Sequence, residues 1–205
     1  MICDDHAIVR RGLRQILVES GRVEVVGEAA NYRELRQVLR LVEPQILLCD
    51  IEMPGKNGIE ITEQVSREYP KTAVIVLSIY PEDQYAIRAL KAGASGYLNK
   101  DSAPEKLMEA VLQVAAGKKF ISPEVSQSIL EMFSGRAGTN THQSLSDREF
   151  QVMRHIASGK KLSEIAEALS LSPKTVSVYR ARILEKLHLA NNVEIAHYAS
   201  KNNLI

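Results

Sequence analysis

Residues 45–58 read QILLCDIEMPGKNG, and this stretch decides the fold. An apolar run, ILLC, fills the length of a short strand and stops at a single carboxylate, Asp50. Pro54, Gly55 and Gly58 then form a turn, glycine supplying backbone angles that other residues resist. Outward in both directions the same syntax returns. VEVVGEA (23–29), TAVIVLS (72–78) and GYLNK (96–100) are further strand candidates. Amphipathic stretches fit between them: residues 7–19, then YRELRQVLRLV, GIEITEQVSREY, PEDQYAIRALKAG and APEKLMEAVLQVAAG, the last two closing in glycine. Short aliphatic runs alternating with helical stretches predict βαβ units and a doubly wound parallel sheet as far as Gly117. Residues 1–3 would make the fifth strand, and they are fewer than a normal strand contains.

Past Gly117 the pattern changes. SPEVSQSILEMF from Ser122 reads as one more helix with a serine cap and proline in its first turn, and SGRAGTNTHQS (134–144) carries almost nothing apolar. From Leu145 onward only helical signals remain, opening with a capping box of Ser146 and Glu149. The expected organisation is a domain over 1–117, a linker over 118–144 with a helix and then a flexible segment, and an all-α domain over 145–205. The 205 residues are 45% hydrophobic and 25% charged with a formal charge of +1, which excludes a strongly basic nucleic-acid coat protein and an acidic disordered tail. No apolar run approaches the roughly 18 to 20 residues of a membrane helix, and no leader opens the chain, so a cytoplasmic protein with no membrane partner is expected. Cys3 and Cys49 lie in apolar stretches and read as buried thiols of a reducing compartment, a Cys3–Cys49 disulfide being the weaker reading.

Asp4 and Asp5 follow the first strand and Asp50 ends another, so three carboxylates converge where the strand ends of a doubly wound sheet form a ligand crevice. Like charges so close need an offset, and a hard divalent cation with oxygen ligands, Mg2+, supplies it. Ser78 and Lys100 end their strands at the same edge and add a hydroxyl and a fixed positive charge. Any one of these alone is a solvated strand-end group. Together they are the parts that receive a phosphoryl group, with Asp50 the best nucleophile.

The pair DD near the start, LLCDIEMPGKNG around Asp50, LS at Ser78 and GYLNK ending at Lys100 resemble the receiver domain of two-component response regulators, a flavodoxin-like fold. The resemblance implies that Asp50 is the phosphoacceptor, that Asp5, Asp50 and the backbone carbonyl of Glu52 hold the metal with Asp4 assisting, and that Ser78 and Lys100 grip the phosphoryl oxygens. It makes Tyr97 the aromatic switch that turns inward when the Ser78 hydroxyl moves to the phosphate. Glu52 and Tyr80 fall where members of the family set phosphate lifetime. The departure is at the front, where members carry several apolar residues before the acidic pair. Each buried side chain lacking there costs roughly 1.5 to 3 kcal/mol.

In the second domain LSEIAEALSLSPKTVSVYRARILEKL, from Leu162, reads as two helices joined by a tight turn near Leu171, with Ser172 capping the second and Pro173 at its first position. At 100° per residue Val176, Ile183 and Leu187 form one stripe that must face a core. Lys174, Val178, Ala181 and Glu185 lie opposite, flanked by Thr175, Ser177 and Arg182. Lys174, Arg180, Arg182 and Lys186 against Glu185 make a local excess of three positive charges, which suits a phosphate backbone. The segment 145–205 resembles the LuxR-type four-helix DNA-binding domain, and with the receiver in front the chain resembles the NarL/FixJ subgroup of response regulators. That implies a recognition helix over 173–187, with Ser177, Val178 and Ala181 toward base edges and Lys174, Thr175, Tyr179 and Arg182 toward phosphates. It implies as partners a sensor histidine kinase and double-stranded DNA with a palindromic site, bound by a phosphorylated homodimer through a fourth helix over 192–201. A phosphorylation-independent regulator with a vestigial receiver is the alternative. An aspartate-nucleophile phosphatase fails on Glu52, where its DxD signature needs aspartate, so no enzyme is expected.

Overall fold

In the computed structural model, which describes residues 1–205 apart from 81, 124, 128, 130–140 and 203, the chain divides into two compact units, Met1–Leu130 and Glu131–Ile205. The ILLC run enters the first unit as β3 (Ile46–Asp50), flanked on one side by β1 (Ile2–Cys3) and on the other by β4 (Ala73–Ser78). With β2 (Glu28–Ala29) and β5 (Gly96–Asn99) at the edges, the order is β2-β1-β3-β4-β5 and all pairings are parallel. Parallel strands covered on both faces must be apolar throughout, which is why Leu47, Leu48, Val74, Ile75, Val76 and Leu77 are all buried. On one face Ile2, Leu48, Ile75, Leu77 and Leu98 meet Leu13 and Leu17 of α1 (Ala7–Glu19) and Leu107, Ala110, Val111 and Val114 of α5 (Ala103–Ala115). The remaining helices are α2 (Tyr32–Leu41), α3 (Gly58–Glu68) and α4 (Glu82–Lys91).

The strand expected over 23–29 is a ladder only at Glu28–Ala29. Its sole neighbour is β1, two residues long, and a ladder cannot outrun its partner. Val23 and Val25 still pack on the core, so the alternation of the sequence survives without the hydrogen bonds. The helices close as expected after α4 and α5, where Gly93 and Gly117 take φ of +100° and +77°. The cysteines correct the disulfide reading: Cys3 and Cys49 face each other in register across β1 and β3, yet both are free, buried thiols. Of the helix expected from Ser122, residues 123, 125–127 and 129 are helical and Val125 is buried, while the flexible segment expected over 134–144 lies outside the described residues up to 140. Phe120 adds a single parallel bridge to Gly96 at the β5 edge, which the sequence pattern did not announce.

The second unit holds α6 (Asp147–Ala157), α7 (Leu162–Ala168), α8 (Pro173–Leu187) and α9 (Asn192–Lys201). The Ser146–Glu149 capping box starts α6. The turn before α8 passes through Ser170, at φ +53°, and Ser172 then caps α8 by accepting from the Thr175 amide at 3.0 Å. Val176, Ile183 and Leu187 are the buried residues of α8, as the stripe requires, and they share the core with Phe150, Met153, Ile156, Ile165 and Ile195. Among the described residues no helix is long and apolar enough to cross a membrane.

Candidate functional site

Parallel strands deliver their C-terminal ends to one edge of a sheet, and here that edge collects the chemistry. Asp50 is the last residue of β3 and Ser78 the last of β4; Asp4 and Asp5 follow β1. Lys100 is placed just past β5, in a 3-10 turn over Lys100–Ser102 rather than in the strand itself. Its ammonium lies 2.7 Å from Asp4 Oδ2 and 3.0 Å from Asp50 Oδ2. Asp4 and Asp50 are both buried, so one cation serves two carboxylates in a dry site. Burial pushes the Asp50 carboxyl up to about 7; Lys100 pulls it down and Asp4 pushes it further up. Burial also works against the charge on Lys100, but Asp50 and Asp4 outweigh it and hold the ammonium above its ordinary range. The backbone amide of Glu52 donates to the Asp50 carboxylate.

Asp5 is more open, and His6 Nδ1 lies 2.7 Å from its Oδ1. The His6 amide donates to Asp4 Oδ1 at 2.8 Å, and Arg10 Nη1 donates to the Asp4 carbonyl at 2.6 Å. Ligand atoms of Asp4, Asp5, His6 and Asp50 all lie within 4.8 Å of one another. Neither His6 nor Arg10 was singled out from the sequence; a histidine directly after an acidic pair was the available signal for the first.

A second set of bonds links Ser78 to Tyr97. Ser78 Oγ accepts from the Tyr80 amide at 3.0 Å, and the Tyr80 carbonyl accepts from Tyr97 Oη at 2.9 Å and Asn99 Nδ2 at 3.2 Å. Tyr97 is buried, its ring inward. Tyr80 Oη donates to Glu52 Oε1, and its ring stacks on Tyr85 with centroids 5.1 Å apart.

In the second unit the outer side of α8 carries the other candidate surface. Lys174, Thr175, Val178, Tyr179 and Arg182 line, with Ser172, a shallow concavity of about 350 Å3. Ser177 and Ala181 are exposed beside it, and Val178 is 45% exposed, unusual for an aliphatic residue without a partner to meet. The charge excess read from the sequence is smaller at this surface. Lys186 turns back to Glu149 Oε2 at 2.7 Å and to the Ser144 carbonyl, and Arg180 Nε donates to Asn192 Oδ1 at 2.6 Å. Lys174 and Arg182 are the cations of the concavity.

Comparison with known proteins matches residues 1–112 to the response regulator receiver domain and residues 143–199 to the luxR family of bacterial regulatory proteins. The chain is 36% identical over 206 residues to the response regulator GacA of Pseudomonas aeruginosa, covering all of this chain and 96% of that protein. It is 35% identical over 205 residues to the response regulator UvrY of Escherichia coli, covering all of this chain and 94% of the relative. Among solved structures it is similar to RcsB from Salmonella enterica serovar Typhimurium bound to a promoter in the presence of a phosphomimetic, with a TM-score of 0.68 at 30% identity over 98% of this chain and 96% of that one.

Proposed function

The chain belongs to the response regulators of the NarL/FixJ subgroup, and from that premise we propose that it is a phosphorylation-controlled transcription regulator whose phosphoacceptor is Asp50. The observation that carries the site assignment is the pairing of two buried carboxylates, Asp4 and Asp50, around the single ammonium of Lys100. Such a cluster is costly to bury, and hydrophobic residues would pack the same strand ends more cheaply. It makes sense as a site that waits for more charge.

In this reading a sensor histidine kinase presents a phosphohistidine. An Asp50 carboxylate oxygen attacks the phosphorus, the P–N bond breaks, and the imidazole leaves with the electron pair. Lys100 turns from the carboxylates to a phosphoryl oxygen, and the Ser78 hydroxyl receives another. The donor set fits Mg2+: Asp5, Asp50 and the Glu52 carbonyl would hold it with Asp4 assisting, all hard oxygen ligands. When bound, the ion neutralises charge on the transferred group. Ser78 cannot serve the phosphate and the Tyr80 amide with the same lone pair, so its departure loosens Tyr80 and with it the carbonyl that holds Tyr97. That chain of bonds is the proposed switch. The phosphoryl group is accepted stoichiometrically rather than turned over on a diffusible substrate, so the role is regulatory.

The output is DNA binding by α8, with Lys174, Thr175, Tyr179 and Arg182 on phosphates and Ser177, Val178 and Ala181 toward base edges. A homodimer on a palindromic promoter site follows from two-fold symmetry. The receiver spans 1–117, the linker 118–144 and the DNA-binding domain 145–205, and the two free buried thiols suit a cytoplasmic setting.

The test is incubation with Mg2+ and acetyl phosphate, wild type beside Asp50→Ala, reading intact mass and affinity for a labelled palindromic promoter fragment. An adduct that the variant lacks, with tighter DNA binding by the wild type, is expected. Equal DNA binding with no adduct would replace this reading with a vestigial receiver on a constitutive regulator.

A further inference from the structure

The acidic site contains one ligand that Mg2+ does not want. His6 Nδ1 stands 2.7 Å from Asp5 Oδ1 and 3.5 Å from Asp4 Oδ1, so the imidazole nitrogen faces the carboxylates rather than solvent. Bond lengths near 2.1 Å put adjacent ligands of one ion about 3 Å apart and opposite ones a little over 4 Å apart. The spread within which Asp4, Asp5, His6 and Asp50 lie, 4.8 Å, is close to that of a formed coordination sphere. A pure oxygen set selects a hard cation, whereas an imidazole among carboxylates favours zinc, iron(II), cobalt(II) or nickel(II).

Resting on the proposed receiver reading, we infer that His6 is a fourth protein ligand that lets this site take a divalent transition ion in competition with Mg2+. The site then accepts two classes of cation. Mg2+ uses the oxygens alone and leaves His6 bonded to Asp5, while the softer ion recruits His6 Nδ1 together with Asp5 and Asp50. His6 is the sole histidine of the first unit; the other four, His142, His155, His188 and His197, lie in the second.

Co2+ serves as the probe. The full chain and His6→Ala are titrated with Co2+, followed by its visible absorption and by calorimetry, and with Mg2+ in competition. His6 is 66% exposed at its side chain, so the variant keeps the fold. The expected result is a Mg2+-competed Co2+ site whose affinity falls roughly tenfold or more in His6→Ala, with its absorption band shifted and Mg2+ affinity held within about twofold. Unchanged Co2+ binding in the variant overturns the inference. So does an equal loss for both ions, which would make His6 a positioning residue that orients Asp5. Acetyl phosphate labelling with Mg2+, run on both proteins, separates the two readings: an adduct in each leaves the receiver assignment standing whatever Co2+ does, and none in either fails that assignment.

Discussion

Replacing Asp50 with asparagine should make the protein more stable in alkaline buffer, and the gain should vanish in acid. A carboxyl held at about 7 in the fold but at 3.8 when unfolded is deprotonated in the unfolded chain first. Its folded pKa is raised, so stability is lost as pH climbs from about 4 to about 7 and is level above that. At about 1.4 kcal/mol for each tenfold difference in proton affinity, the full cost above neutrality is roughly 4 kcal/mol, falling to under about 2 kcal/mol near pH 5. Relaxation of the site brings the measured figure toward about 2 to 3 kcal/mol, which for a domain of this size moves its melting temperature by roughly 5 to 10 °C. The assay is scanning calorimetry of the wild type and Asp50→Asn in chelator from about pH 5 to about pH 8.5. Losing the Lys100 pairing adds an offset, but that offset carries little pH slope, so the slope is what counts. Mg2+ stabilises the ionised wild type and should narrow the gap. A difference between the two proteins that stays constant across the range would refute the reasoning, because it would mean that Asp50 ionises as easily folded as unfolded.

Other consequences are shorter to state. Lys174→Ala and Arg182→Ala should each weaken DNA binding about equally across sequences and lower the slope of log affinity against log salt by about 1, whereas Val178→Ala should change base preference and leave the slope alone; anisotropy titrations at several salt concentrations decide. Gly58→Ala should cost about 3 kcal/mol in urea denaturation, because a Cβ there would stand 2.1 Å from the Asp50 carbonyl oxygen and 2.7 Å from Ile51 Cα, backbone atoms that cannot step aside. A midpoint equal to the wild type's would show that α3 can shift freely at its start. Lys186→Met should cost about 1 to 2 kcal/mol near neutrality. Burial pushes the Glu149 carboxyl up, but Lys186 and the Ser146 amide outweigh it and hold it below its ordinary 4.5, so this contribution exists above that value and disappears as pH falls through the lower folded one. A deficit as large at about pH 3 as at pH 7 would contradict that assignment.

What the sequence made legible divides by the range of the forces involved. Strand and helix positions follow from local pattern, so β3, β4, β5 and all nine described helices stand where periodicity, caps and closing glycines put them. The convergence of Asp50, Ser78 and Lys100 was legible because parallel topology sends every strand's end to the same edge. The length of β2 was not, since a ladder is a property of two strands and β1 offers only Ile2 and Cys3. The charge on α8 was overcounted for a similar reason: Lys186 and Glu149 stand 37 positions apart, and their pairing at 2.7 Å depends on how α6 packs against α8. The same holds for Tyr80, whose carbonyl and amide connect Ser78 to Tyr97 through backbone atoms that no side-chain motif encodes. His6 is the opposite case. It is adjacent in sequence to two of the carboxylates that it faces, so its place was open to a local reading, and what hid it was chemical expectation: an acidic pair invites a hard cation, and a nitrogen ligand beside it goes unconsidered until the 2.7 Å distance to Asp5 is seen.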